Sequence, residues 1–401
     1  LISFFVLLFL GVPIAMSLGL SAMGGILFLG GGSTVTIAQR MFEGMNSFAL
    51  LAIPLYTFAG FTMSKGGISK RLMDFCYSIV GHIYGGLAHV NVLSSMIFAG
   101  ISGSAVADTA GVSGMFMPEM IRKGYSKNFT VAVTAISSTI GIIIPPSIPM
   151  VVIAGICGIS TGKLFLGGII PGVLCGLAQM IVSYFLAKKE GVPKEPGHFT
   201  IGPVLHGLWE SWPALLMPII IVGTITMGIV SPTEAGVIAV VYGLFAGGII
   251  YRELKWEDIK FAFAETVRTS GRIFIVIGAA KLYTVMLTTA GFDKWVAKTM
   301  LGFSTNPTVI LIMILLIFFI VTMFMESIAT LTLFMPILYP IALGVGINPI
   351  VLSVLITVVI GIGLVTPPVG MCIYVACDLM DTTVGEVFPT LVPFIAATFV
   401  C

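Results

Sequence analysis

The sequence predicts an all-α polytopic membrane protein made of two inverted repeats, each carrying a re-entrant hairpin and a broken helix. Three observations carry this expectation. Of 401 residues, 58% are hydrophobic and 9% charged, against roughly 25% charged in a soluble domain. Apolar runs recur from end to end, each near the roughly 20 residues a helix needs to cross about 30 Å of hydrocarbon. A series of short words in the first half also returns, in order, in the second.

Spans are expected at about 4–30, 46–64, 128–158, 164–187, 211–230, 232–251, 270–290, 349–377 and 384–401. Residues 1 to 32 read as a first span, since a cleaved signal peptide would be shorter. The polar stretch from Lys188 to Ser211, with Gly191, Pro193, Pro196, Gly197 and Pro203, reads as a linker that divides the chain nearly in half. The 47 glycines and 21 prolines lie largely inside apolar runs. Helices of that composition pack closely and break often, which suits a bundle with a pathway through it.

The echo between the halves is the most informative feature. Val12-Pro13-Ile14-Ala15 parallels Ser231-Pro232-Thr233-Glu234, and Leu55-Tyr56 parallels Leu282-Tyr283. Gly67-Ile68-Ser69-Lys70 parallels Gly291-Phe292-Asp293-Lys294, Phe116-Met117-Pro118 parallels Phe334-Met335-Pro336, and Pro145-Pro146 parallels Pro367-Pro368. The offset stays between 218 and 227, which chance matches of apolar words do not sustain. Fourteen Lys and Arg residues, from Lys65 to Arg272, fall on one face. Arg40, Lys163, Lys294 and Lys298 fall on the other, and Lys281 lies within a span. The positive-inside rule makes the richer face cytoplasmic. Repeat one then begins inside and repeat two, five crossings later, outside, the inverted arrangement of secondary transporters.

The run from Asn128 to Gly158 holds Pro145, Pro146 and Pro149 and is too long for one simple crossing. Proline cannot donate to the carbonyl four residues back, so the carbonyls of Gly141 and Ile142 are expected free. Thr366-Pro367-Pro368-Val369-Gly370 interrupts the run from Pro349 to Cys377 in the same way and frees Gly363 and Leu364. Bare carbonyls at depth can hold Na⁺, and the following half-helices, starting near Ser147 and Val369, aim positive dipole ends at an anion. A plain proline kink repaired by neighbouring helices is the other reading.

Before each broken run lies an apolar stretch with a polar patch. In repeat one it is 100–109, Gly-Ile-Ser-Gly-Ser-Ala-Val-Ala-Asp-Thr, between arms at about 85–101 and 110–122 with basic residues on both flanks. The patch reads as the tip of a hairpin that dips to the midplane and returns. Repeat two offers 322–327 between arms of about 307–325 and 328–343, which hydropathy alone would also allow to span. Asp108 and Glu326 become the acids nearest the midplane, where an ionisable group suggests function; the alternative is that each caps a hairpin helix. From Thr299 to Cys401 there is no Lys or Arg. That segment has only dipoles, hydroxyls and bound cations with which to neutralise a carboxylate.

Other chemistries find little support. The six cysteines lack CxxC spacing and the four histidines do not cluster, so no disulfide or metal site other than Na⁺ is expected. A net charge of +2 suggests no nucleic-acid partner. No GxxxxGK[ST] phosphate loop is present, and Asp108 has no second aspartate near it for an intramembrane protease. A channel fits less well than alternating access around a midplane site.

Leu10-Gly11-Val12-Pro13-Ile14-Ala15, Ile53-Pro54-Leu55-Tyr56, the segment from Gly100 to Gly111, Ile144-Pro145-Pro146-Ser147 and Thr366-Pro367-Pro368-Val369-Gly370 together resemble the large membrane subunit of tripartite ATP-independent periplasmic (TRAP) transporters. The resemblance covers essentially the whole chain, although family members run somewhat further past the last span. It implies a non-enzymatic, multi-pass protein of the bacterial inner membrane, in contact with membrane lipid. By it, the fold is an elevator transporter: scaffold at 1–67 and 211–290, transport core at 68–187 and 291–401, a cytoplasmic linker at 188–210, and interfacial arms at about 68–82 and 292–304. One Na⁺ would sit among Ser102, Gly103, Ser104, Gly141, Ile144 and Pro146. A second would sit among Glu326, Ser327, Thr366, Pro368, Gly370 and Met371. A carboxylate substrate of sialic acid or C4-dicarboxylate type would lie near Ser104, Asp108 and Ser147. No cofactor is implied beyond the coupling ion; the partners implied are a small four-helix membrane subunit and a periplasmic substrate-binding protein. A stand-alone Na⁺/anion symporter of the same ion-transporter superfamily is the closest alternative.

Overall fold

The structure, a computed structural model, describes residues 2–28, 34–192 and 199–401. Leu1, residues 29–33 at the end of the expected first span, and residues 193–198 of the expected linker lie outside the described residues. Among the described residues there are nineteen α-helices and no strand. By length and composition, six of these segments can cross a membrane.

Repeat one opens with α1 (Ile2–Phe9), α2 (Ile14–Phe28), α3 (Thr34–Met45) and α4 (Ala52–Lys65). The span expected as one helix from residue 4 is thus two. Gly11 takes φ +81°, and Pro13, which has no N–H to give to a continuing helix, precedes α2. The Ser17 hydroxyl closes the corner by donating to the Val12 carbonyl at 3.1 Å. In repeat two, α11 (Ile201–Thr226) starts ten residues before the expected span. Its opening turns place Ile201, Val204, Leu205 and Leu208 at helical spacing with Pro203 in the first turn, so the second part of the polar stretch is helical. α12 (Pro232–Phe245), begun by a Ser231/Glu234 capping box, and the 34-residue α13 (Trp256–Thr289) follow.

In each repeat a left-handed glycine leads into a short helix, at the position of the expected arm. Gly67 (φ +77°) leads into α5 (Ile68–Val80), and Gly291 (φ +72°) into α14 (Phe292–Phe303). Ile68, Leu72, Cys76 and Val80 form the buried stripe of α5. This first arm is tied down. Arg71 donates to the Gly67 carbonyl at 2.8 Å and to Glu253 at 2.7 Å, its guanidinium lies 4.3 Å from the Tyr251 ring centroid, and its carbonyl accepts from the Ser211 hydroxyl at 2.9 Å. Gly66 and Gly247 let the backbones of α4 and the end of α12 approach, for a Cβ on Gly66 would lie 3.0 Å from the Gly247 Cα.

The remaining helices come in two matched series. In the first, α6 (Gly86–Ser102) and α7 (Ala105–Arg122) form a helical hairpin. α8 (Lys127–Ser138) follows, then a 3-10 turn (Thr139–Ile142), α9 (Ile148–Cys157) and α10 (Thr161–Lys189). The second has hairpin α15 (Pro307–Thr322) and α16 (Ser327–Gly344), broken helix α17 (Pro349–Gly363) and α18 (Met371–Asp378), then α19 (Val384–Val400). The hairpins pack crosswise: α7 lies on α8 and on α18, while α16 lies on α17 and on α9. Each tip therefore faces a break.

Candidate functional site

Both double-proline segments interrupt their helices. Regular backbone stops at Ile142 and resumes at Ile148, and stops again at Gly363 and resumes at Met371. Both Pro-Pro bonds are cis.

The first cluster joins tip one to break one. α6 ends at Ser102, Gly103 turns the chain at φ +66°, and the Ser104 hydroxyl caps α7 by accepting from the Ala107 N–H at 3.4 Å. The Gly103 carbonyl accepts from the Ile148 N–H at 3.1 Å, which pins the tip to the first residue of α9. Only glycine fits there, because a Cβ would sit 2.6 Å from the Pro146 carbonyl oxygen. Asp108, 2% exposed, accepts from the Ser102 hydroxyl with one oxygen. Its other oxygen, Oδ2, is buried without a partner and faces Gly141, where any Cβ would collide with it. Ser147 caps α9, its hydroxyl accepting from the Met150 N–H at 3.3 Å. Ser102, Gly103, Ser104, Asp108, Gly141, Pro146 and Ser147 thus converge. Ile144 turns its side chain away, against Gly172 of α10, and offers this cluster only backbone.

The second cluster joins tip two to break two. The Met323 carbonyl accepts from the Val369 N–H at 2.9 Å, and Gly363 lies so close to Thr322 that a Cβ would be 2.7 Å from the Thr322 Cβ. Glu326 takes the capping role: it accepts from the Ile328 and Ala329 N–H groups at 3.0 and 3.4 Å and from the Ser327 hydroxyl at 2.8 Å. The Thr366 hydroxyl donates to the Ile362 carbonyl at 2.7 Å, Gly370 takes φ +45°, and Met371 opens α18. Pro368 stands exposed at the corner, whereas Pro145 and Pro146 are buried. The two acids therefore differ. Glu326 serves its own helix, while Asp108 is held from across the tip with an oxygen to spare.

One expectation is corrected. The carbonyls predicted to be free are largely engaged: Ile142 accepts from the Ser147 hydroxyl, Gly363 from the Thr366 N–H at 3.1 Å, and Leu364 from the Cys372 N–H at 2.9 Å. The chain folding back after each break supplies the donors that proline removed. A carbonyl oxygen retains a second lone pair, so cation binding rests on convergence of oxygens rather than on bareness.

Sequence reasoning missed the wedge between the clusters. Cys372, fully buried on α18, follows the second break, and α18 packs on α7, the helix that carries Asp108. Its only sequence signal is its place two residues after Gly370. Also missed was a buried polar ladder between α6 and α8. The Asn91 amide donates to the Thr134 hydroxyl at 2.7 Å, the Ser137 hydroxyl donates to the Asn91 oxygen at 3.2 Å, and the Ser95 hydroxyl donates to Ser137 at 3.0 Å.

A family model described as the tripartite ATP-independent periplasmic transporter, DctM component, matches residues 1–401. The isethionate TRAP transporter permease protein DctMQ of Oleidesulfovibrio alaskensis is 37% identical over 98% of this chain, which spans 62% of that protein's length. The sialic acid TRAP transporter large permease protein SiaM of Vibrio cholerae is 36% identical over 96% of the chain and 91% of the relative. The C4-dicarboxylate TRAP transporter large permease protein DctM of Pseudomonas aeruginosa is also 36% identical, over 94% and 88%. Among solved structures, the Alcanivorax borkumensis YdaH transporter superposes with TM-score 0.59 at 15% identity over 90% of this chain and 85% of that one. Neisseria gonorrhoeae MtrF does so with TM-score 0.60 at 13% identity, over 94% and 83%. These two likenesses establish a shared fold.

Proposed function

Because this chain belongs to the DctM component family of tripartite ATP-independent periplasmic transporters, and is a multi-pass inner membrane protein, we propose that it carries out Na⁺-coupled uptake of an organic acid of the sialic acid or C4-dicarboxylate type. A periplasmic binding protein delivers the acid and a small four-helix membrane subunit completes the assembly. The observation that carries the reading is the pair of hairpin tips, each hydrogen-bonded across to a helix break.

In the first cluster Na⁺ binds among the oxygens of Ser102, Gly103, Ser104, Gly141, Ile144 and Pro146, beside the unpartnered oxygen of Asp108. In the second it binds among those of Ser327, Thr366, Pro368, Gly370 and Met371, with Glu326 fixing the start of α16. All of these are hard oxygen donors, the kind that Na⁺ prefers. The anion lies between the tips near Ser104, Asp108 and Ser147, facing the positive end of α9. Its charge is balanced by the cations, since the second half of the core from Thr299 onward carries no Lys or Arg. The hairpins and broken helices slide as one body against the scaffold, connected to it by the arms. Each net positive charge moved inward through 100 mV supplies about 2.3 kcal/mol, roughly a 50-fold concentration ratio.

The test is uptake of labelled sialic acid and succinate by proteoliposomes holding both membrane subunits, with the binding protein outside. Uptake should require an inward Na⁺ gradient and the binding protein together. Undiminished uptake with K⁺ replacing Na⁺ removes the symport reading, and uptake without the binding protein favours a stand-alone symporter.

A further inference from the structure

Among the described residues, the ladder between α6 and α8 has no counterpart in repeat two. Asn91, Ser95, Thr134 and Ser137 are at most fractionally exposed and link the first arm of hairpin one to the first half of broken helix one. In repeat two the same seam joins α15 to α17. There the buried stripe of α15 is Ile310, Ile314 and Phe318, with no polar residue until Thr322 at the tip. Packing a hairpin arm on a broken helix therefore does not require an amide. Nor is the ladder needed to satisfy its own hydroxyls, because Thr134 gives its proton to the Thr130 carbonyl at 2.8 Å and the single proton of Ser137 has the Thr134 carbonyl at 3.2 Å as an alternative acceptor.

What a directional amide adds to an apolar seam is register, as a single buried Asn fixes register in a coiled coil. Register matters at the top of this seam. α6 ends in Ser102, which holds Asp108, and α8 continues to Gly141, whose missing Cβ makes room for the Asp108 oxygen. A small slide or rotation of α6 along α8 would part these groups.

We propose that Asn91 is a positioning residue: its amide, bonded to Thr134 and Ser137, sets the height and rotation of hairpin one on α8 and so holds Ser102 and Asp108 against Gly141 in the first cation cluster. The inference rests on the sodium reading only for its transport readout; its structural content stands apart.

The test compares Asn91→Leu, which gives this seam the apolar character of repeat two, with wild type in proteoliposome uptake at graded Na⁺ and in hydrogen–deuterium exchange. Folded yield should hold and the Na⁺-saturated rate should change little. The half-saturating Na⁺ concentration should rise about five- to tenfold, the worth of one or two buried hydrogen bonds. Exchange should quicken at 101–108 and 139–147 but not at 322–327 or 364–371. Should Asn91→Leu fail to fold, Thr134→Val, which removes the acceptor of the amide, is predicted to shift both readouts in the same direction. Unchanged exchange at the first tip together with an unchanged Na⁺ half-saturation overturns the proposal. A wild-type titration flat in Na⁺ sinks the sodium reading instead, and the exchange comparison then decides the positioning role alone.

Discussion

Gly103→Ala tests the contact on which the first cluster depends. Gly103 holds φ +66°, where an L-residue costs about 1–2 kcal/mol. The new methyl would lie 2.6 Å from the Pro146 carbonyl oxygen, so the tip must withdraw by about half an ångström or more to reach van der Waals contact. That movement stretches the 3.1 Å bond from the Ile148 N–H to the Gly103 carbonyl, worth about 1 kcal/mol. Together these come to about 2–3 kcal/mol, or roughly a 30- to 150-fold smaller population of seated tips. Initial uptake per folded transporter in proteoliposomes should therefore fall by one to two orders of magnitude, while folded yield by fluorescence-detected size exclusion stays near wild type. Gly111→Ala, in the same hairpin, is the control: its Cβ meets nothing within 4 Å, and in a helix it should stabilise by about 0.5–1 kcal/mol. Gly103→Ala retaining more than about half of wild-type uptake would refute the reasoning that the tip must sit against the break.

Two further substitutions separate the acids. Asp108→Asn keeps an oxygen for Ser102 but turns the group facing Gly141 into a donor without charge; uptake should fall at least about tenfold with folded yield preserved, and parallel loss of both would assign Asp108 a purely structural role. Glu326→Gln retains an amide oxygen for the Ile328 and Ala329 N–H groups, so uptake and melting temperature should stay near wild type. Glu326→Ala should cost about 1 kcal/mol of stability, and a Glu326→Gln protein that is stable yet inactive would contradict the capping role.

The breaks and tips were legible because their chemistry is local. Two adjacent prolines stop a helix wherever it lies, and the polar Ser102-Gly103-Ser104 with Asp108 four residues on marks a tip within an apolar stretch. The repeat then carried hairpin two, which hydropathy cannot separate from a span: α16 is itself long and apolar enough to cross. What local chemistry did not give was the destination of each freed carbonyl. The donors to Gly363 and Leu364 come from the chain folding back at Thr366 and Cys372, a fact of loop shape rather than composition. The start of α11 was hidden because His206, Glu210 and Ser211 lowered the hydropathy of a stretch whose apolar spacing is helical. The ladder escaped because Asn91 and Thr134 stand 43 residues apart on separate helices, and Asn and Thr carry no signature until those helices are brought side by side.

The tie at Arg71 makes the helices that follow the two left-handed glycines mechanically unequal. α5 is riveted to the segment after α12 by the Arg71 guanidinium, the Glu253 carboxylate and the Tyr251 ring. The fourth residue after the matching glycine is Trp295, 62% exposed, and among the described residues α14 forms no ion pair. A load applied to α5 would be borne stiffly, and one applied to α14 compliantly.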